Sequence, residues 1–229
     1  MEKLKEYKIF FLIGAPGSGI QTQSSKLAIK YHLIHLDVGD LLLKEVVKNT
    51  PRGIAIRKLM MAQLPVPTDT VLSILTDAML DEFHMSKNFL ITGLPRELTQ
   101  AKEFEDKVGC PAKVLRINCN VHTIMNRLVL RAQLNTSFCS EEAVIKRRLR
   151  NYFSNIDDIA GHYMKNHVLY EVNGEQPSED VFRECCKVLD KSLTHWKWIQ
   201  ESEETKTPED QSFKISNAQV IIENFELPN

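Results

Sequence analysis

The stretch Lys8-Ile9-Phe10-Phe11-Leu12-Ile13-Gly14-Ala15-Pro16-Gly17-Ser18-Gly19-Ile20-Gln21-Thr22 decides the fold. Its first part, Lys8–Ile13, is a run of six ending at Gly14, too short for a helix and typical of a buried strand. Its last residues open a segment with helical spacing, Gln21–Tyr31. A glycine-rich turn between a buried strand and a helix is the setting of a phosphate-binding loop. Glycines there let successive backbone N–H groups converge on an anion, and the positive end of the helix dipole adds to the attraction. In the working motif, GxxxxGK[ST] or its variant with Gly before Thr, a lysine reaches the β- and γ-phosphates. Here that position is Ile20. The cradle is present and its point charge is absent. The alternative is a glycine-rich turn with no ligand. Lys26 is no substitute, since six residues along a helix is about 9 Å of rise and another face; it reads as a surface lysine.

Outward from this loop, Asn88–Thr92, Lys113–Ile117 and Val168–Val172 read as further buried strands. Helical spacing recurs in Gly39–Lys48, Thr68–Glu82, Leu98–Val108, Val121–Ala132, Glu141–Lys165 and Ser178–Leu193, several opening on a cap residue such as Thr68 or Ser178. Strands alternating with helices predict an α/β domain, a parallel sheet covered on both faces. No internal repeat is visible.

Composition excludes several classes. At 43% hydrophobic and 26% charged residues, the chain is not collagen-like, coiled-coil or wholly disordered. With 29 basic and 30 acidic residues, a net charge of −1, there is no bulk electrostatic case for nucleic acid or a membrane surface. No apolar run approaches the roughly 20 residues of a spanning helix, and Ile9–Ile13 falls short of a signal-peptide core of about 7–15. Five cysteines (Cys110, Cys119, Cys139, Cys185, Cys186) show no CxxC spacing, which argues for reduced thiols in the cytoplasm and against a disulfide framework or a metal site. A boundary falls near residue 194. Residues 195–229 carry three lysines against seven acidic residues, both tryptophans (Trp196, Trp198), a polar linker Glu201–Gln211 and an apolar patch Val220–Phe225. This tail reads either as a terminus whose patch docks on its own domain or as a module that binds a protein partner.

Five segments, Phe11–Thr22, His35–Glu45, Gly53–Leu72 with Val66-Pro67, Phe89–Phe104 and Arg127–Tyr152, resemble those of the adenylate kinases of the short-lid type, and the likeness spans residues 3–193. The resemblance implies the P-loop nucleoside monophosphate kinase fold: a five-stranded parallel sheet flanked by helices, an acceptor-binding insert at about 38–67 and a short lid at about 134–140. It implies Mg²⁺-dependent transfer from ATP to a nucleoside monophosphate, AMP foremost, by a cytoplasmic monomer. Gly14, Gly17, Ser18, Gly19, Ile20, Gln21 and Thr22, with Arg127 and Arg131, match the positions that hold ATP. Val38, Leu64, Val66, Gly93, Arg96, Gln100 and Arg148 match those that hold the acceptor. Among them Arg96 matches the arginine on the acceptor phosphate, Gln100 the residue that reads adenine, and Arg148 a transition-state arginine. Arg127 and Arg131, four apart on one helix face, match residues that cover the ATP base and touch its phosphates. Arg96, Arg131 and Arg148 are the catalytic set.

Most of the departures remove charge or polarity. The lysine is Ile20, the arginine after Gly39-Asp40-Leu41-Leu42 is Leu43, and the magnesium-orienting aspartate before Gly93 is Thr92. The lid's Arg-x-Asp-Asp is Ser137-Phe138-Cys139-Ser140, the threonine beside the acceptor base is Val38, and a glycine there is Gln63. Phosphoryl transfer depends on positioning and placed cations. The expectation is therefore a relative that binds nucleotide weakly and transfers phosphate poorly or not at all. The alternatives are a working nucleoside monophosphate kinase with substituted contacts, or a scaffold acting through the tail. Each surviving arginine also has a structural alternative: Arg127 and Arg131 paired with Glu141 or Glu142, Lys146–Arg150 as a solvated basic face, Arg96 as a loop anchor. Asp40 reads as a helix N-cap, Cys185-Cys186 as core thiols and His35 as packing.

Overall fold

The computed structural model describes residues 7–82, 88–134 and 142–193. Most of the expected lid, with Ser137, Phe138, Cys139 and Ser140, and the tail 195–229 lie outside them. Contacts divide the chain into Met1–Ser192 and Leu193–Asn229, and the described residues other than Leu193 fall in the first unit.

The order is β1 (Lys8–Gly14), α1 (Ile20–Tyr31), β2 (Ile34–Asp37), α2 (Val38–Val47), α3 (Pro51–Met61), α4 (Thr68–Asp81), β3 (Asn88–Thr92), α5 (Leu98–Lys107), β4 (Lys113–Asn118), α6 (Val121–Leu134), α7 (Glu142–Lys165), β5 (Leu169–Asn173) and α8 (Ser178–Ser192). The strands form one sheet in the order β2-β3-β1-β4-β5, every pair parallel. This is the five-stranded α/β architecture expected from the apolar runs and the resemblance. β1 is central because both its faces are apolar: Phe11 meets Phe104 and Tyr163 edge-on at 5.0 and 6.2 Å on one side, while Phe10 and Leu12 are fully buried on the other. Thr92 pairs with both Asp37 and Leu12, and Gly14 with Ile117, so the carboxyl ends of four strands emerge together on one edge. In open α/β sheets ligands bind at that edge. No helix among the described residues is long and apolar enough to cross a membrane.

Two elements were not read from residue pattern. β2 is four residues long and contains His35 and Asp37, too short and too polar for an apolar run. α3 has no apolar stripe; its start is set by the Thr50 hydroxyl, which accepts from Gly53 N at 3.0 Å ahead of Pro51 in the first turn. Three cap assignments are corrected. Asp37, not Asp40, caps α2, its Oδ1 accepting from Asp40 N at 3.1 Å. Thr68 and Ser178 are already helical, because the carbonyls of Pro67 and Pro177 before them accept the first helical bonds.

The junction of α2 and α3 is held by one carboxylate. Gly53 brings α3 so close to α2 that a Cβ there would stand 2.3 Å from Glu45 O. Glu45 is buried, and its side chain accepts from Arg52 Nε at 2.8 Å and Thr50 Oγ1 at 3.3 Å and pairs with Lys48 Nζ at 3.1 Å. Arg52, chiefly, holds the carboxyl pKa down at about 2 from an ordinary 4.5. A depressed carboxylate stabilises the fold above its unfolded pKa and releases that stability as pH falls through the folded one. Glu45→Gln is therefore expected to lower stability at pH 7 by about 1.5–3 kcal/mol and to flatten the loss of stability between pH 4.5 and 2, read by urea unfolding across pH. The end of α3 supplies a second test. Gln63 adopts φ +57°, with Gln63 N bonded to Met60 O and Leu64 N to Leu59 O, a Schellman closure that favours glycine. Gln63→Gly is expected to raise the melting temperature, by about 0.5–1 kcal/mol of stability.

Candidate nucleotide site

After Gly14 the chain turns on two left-handed glycines, Gly17 at φ +90° and Gly19 at φ +99°, with Ser18 N bonded to Ala15 O at 3.0 Å. A side chain at Gly17 would meet Leu128 Cγ at 3.0 Å, and one at Gly14 would meet Ser18 Oγ at 2.6 Å and Ile117 O at 2.9 Å. The turn has no room for a larger residue at either position. Gly19 is the N-cap of α1 and offers no side chain, so the first helical N–H groups are left to another acceptor. The Ser18 hydroxyl is buried without a hydrogen-bond partner, which is costly unless a ligand supplies one. Loop and helix start together fit an anion of phosphate geometry.

The lysine position is filled differently. Ile20 opens α1 half-buried, and its Cδ1 stands 3.0 Å from the point a Gly14 Cβ would occupy, so the side chain folds back over the loop. Lys26 ion-pairs with Glu179 of α8 and lies 5.7 Å from the centre of the Phe182 ring. It is directed at α8, as its helix position required. Gln21 and Thr22 are exposed on the first turn, and Arg131 donates from its guanidinium to Gln21 Oε1 at 3.2 Å.

Arg127 and Arg131 share a face of α6, as expected. Glu175 fixes the start of that helix, accepting from Asn120 N and Thr123 Oγ1, each at 2.6 Å. Arg127 donates to Gly174 O at 3.0 Å and to Ser18 O at 3.5 Å, and its guanidinium lies 3.5 Å from buried Cys119 Sγ. It ties the loop to the β5–α8 turn; the expected pairing with Glu141 or Glu142 lies outside the described side chains.

Across the sheet edge, Arg96 donates from Nε to Gly93 O at 3.1 Å, and its backbone N–H bonds to Gln100 Oε1 at 2.8 Å. Gln100 is buried, while Arg96 and Arg148 are exposed. Although the side chain is open to solvent, partial desolvation by the surrounding protein lowers the Arg96 pKa; Arg148 lowers it further, and Asp37 opposes both. Arg96, Arg148 and Asp37 thus share one electrostatic neighbourhood. Val38 is buried 3.4 Å from where a Gly93 Cβ would stand, Val66 is half-buried against the core, and Leu64 is 56% exposed. Leu43 is also exposed, on α2.

Sequence reasoning missed one set. Thr92 donates to Asp37 Oδ2 at 2.7 Å, and His35 Nε2 lies 3.0 Å from the same hydroxyl. Since the Thr92 proton goes to Asp37, His35 must carry its proton on Nε2 and donate it to Thr92. Burial lowers the His35 pKa against the pull of Asp37 and Asp40, which keeps the ring neutral. Asp40, three residues on, has its carboxyl pKa raised by burial and by Asp37. The only signal in the sequence was a carboxylate in His35-Leu36-Asp37 on the strand next to the one that lacks it. His35 therefore has a polar partner and is more than packing.

Residues 12–168 match the family model described as adenylate kinase. Adenylate kinase isoenzyme 1 of Gallus gallus is 39% identical over 190 residues, covering 83% of this chain and 98% of that protein. The isoenzyme 1 of Sus scrofa is 40% identical over 189 residues, covering 82% and 97%. Adenylate kinase isoenzyme 5 of Bos taurus is 36% identical over 190 residues, 83% of this chain and 34% of that protein. The chain belongs to the adenylate kinase family.

Arg127→Met should unfasten the loop from Gly174. The expected result is a loss of about 1–2 kcal/mol with faster hydrogen exchange at Gly17–Ile20 in the ligand-free protein. Unchanged exchange would assign Arg127 to ligand contact alone.

Proposed function

We propose that this chain is a nucleotide-binding member of the adenylate kinase family in which transfer from ATP to AMP is impaired or lost. The observation that carries the reading is Ile20. It occupies the seat of the lysine, and Lys26, the nearest lysine along α1, is committed to α8. Removing one preorganised group on developing charge costs about 10²–10³ in rate, and an arginine finger is worth about 10³–10⁵. Loss of the lysine together with the lid arginine at Ser137 implies a deficit of at least about 10⁴ even with strong non-additivity.

In this reading Gly14–Thr22 cradles the polyphosphate through backbone donors, with the Ser18 hydroxyl turned to it. Arg127 and Arg131 approach from α6. Arg96 and Arg148 hold the acceptor phosphate, and Gln100, Val38, Leu64, Val66 and Gly93 line its base and backbone. Residues 38–67 form the acceptor insert and 134–140 the lid. Magnesium would arrive with the nucleotide and neutralise phosphate charge. The residues present suit it: the orphaned Ser18 hydroxyl marks the phosphate seat, and Asp37 and Asp40 offer the oxygens a hard cation takes, directly or through water.

A second reading, a working nucleoside monophosphate kinase with substituted cations, is favoured by one contact: Arg131 reaches Gln21, one residue from Ile20. A coupled assay with ATP, Mg²⁺ and AMP, CMP or UMP separates the two. The impaired reading expects turnover below about 10⁻² s⁻¹, against about 1–100 s⁻¹ for a typical kinase, and expects Ile20→Lys to tighten ATP binding or restore measurable activity. Turnover of about one per second, abolished by Arg131→Ala and indifferent to Ile20→Lys, would establish the second.

A further inference from the structure

Thr92 stands where the resemblance calls for a carboxylate that orients water around magnesium, and on that count the site has lost its metal-facing acid. The hydrogen bonds say otherwise. The Thr92 hydroxyl, on a fully buried side chain, is turned by His35 Nε2 on one side toward Asp37 Oδ2 at 2.7 Å on the other. Asp37 is the residue directly across the β2–β3 pairing from Thr92, and neighbouring strands lie about 4.8 Å apart. The carboxylate has thus moved by one strand along the same edge. Its other oxygen, Oδ1, is fixed by the first turn of α2 through Asp40 N, so both oxygens are oriented by the protein and each retains a lone pair. Its charge acts on the Arg96 guanidinium, in the loop that follows β3 on the same edge.

Resting on the nucleotide-site reading above, we infer that Asp37, held by Thr92 and His35, is the positioning carboxylate for the hydrated divalent cation of a bound nucleotide, in place of the aspartate that position 92 lacks. The independent pointer to the ligand is the Ser18 hydroxyl, 3% exposed and unpartnered, in the loop that follows the strand next to Thr92. On this inference the chain has exchanged the seat of its metal-facing acid while lacking the loop lysine and the lid arginine, so binding of the nucleotide remains metal-dependent although transfer is slow.

Asparagine caps a helix as well as aspartate does, and with Asn at 37 the Thr92 hydroxyl can donate to His35 in its other tautomer. Asp37→Asn therefore removes the charge with little else. The test titrates Mn²⁺ into full-length protein saturated with ATP, with free Mn²⁺ read by electron paramagnetic resonance, so no turnover is needed. Outer-sphere partners of a metal are worth about 10–100-fold in affinity. Asp37→Asn is expected to weaken Mn²⁺ binding by about that factor, and the exchange variant Asp37→Ser with Thr92→Asp to restore it to within a few-fold. The exchange variant, which keeps a hydroxyl cap at 37, carries the test by itself should Asp37→Asn melt early. ATP binding with a Mn²⁺ affinity that neither variant moves overturns the inference and leaves the nucleotide reading intact. Failure of the parent chain to bind ATP overturns both.

Discussion

The backbone amides that converge after β1 are the constraint on which the rest is arranged. A left-handed turn at Gly17 and Gly19 is compatible only with the smallest residue at those positions, and it leaves the first N–H groups of α1 without internal acceptors. Such a turn needs support. It receives it from Leu128 pressed against Gly17, from Arg127 bridging Ser18 O and Gly174 O, and from Ile117 at the neighbouring strand end. Each of these belongs to an element far along the chain, so the loop is shaped by the assembled sheet.

Charge around this loop has been redistributed. Ile20 replaces a flexible ammonium with a hydrocarbon that covers the end of β1, and Leu43 places another hydrocarbon on the exposed face of α2. Arg127, however, is bonded to backbone carbonyls, and Arg96 is bonded to Gly93 O with Arg148 near enough to repel it. Cations held by the scaffold in this way cost little to position for an anion.

Much of this was legible in the residues. Continuous apolar runs gave β1 and β3, which are buried on both faces and have no polar alternation; β4 and the edge strand β5 were read from largely apolar runs, although Arg116 and the exposed Glu171 interrupt them. β2 was invisible to that reasoning: it is an edge strand of four residues, two of them polar. α3 escaped because a helix lying on a short insert has no single apolar stripe to bury. At the site, positions could be read but partners could not. Nothing in Arg127 alone says that it fastens Ser18, and Thr92 read as a lost carboxylate because the replacement lies 55 residues away, on the neighbouring strand. Hydrogen bonds across a parallel sheet connect residues whose separation carries no periodic signal.

The seat of α1 has a temporal consequence. Gln23 donates to Ser178 O, Tyr31 to Cys186 O and Asp190, and Lys26 pairs with Glu179, so the helix that follows the loop rests on α8, the last described element. β1 itself lies between β3 and β4, both made later. During synthesis β1 therefore stays unpaired until β3 and then β4 have left the ribosome, and α1 lacks its seat until some 190 residues have done so. Until that moment the nascent chain presents hydrophobic surface for chaperones to shield, and a nucleotide would find no completed seat on it.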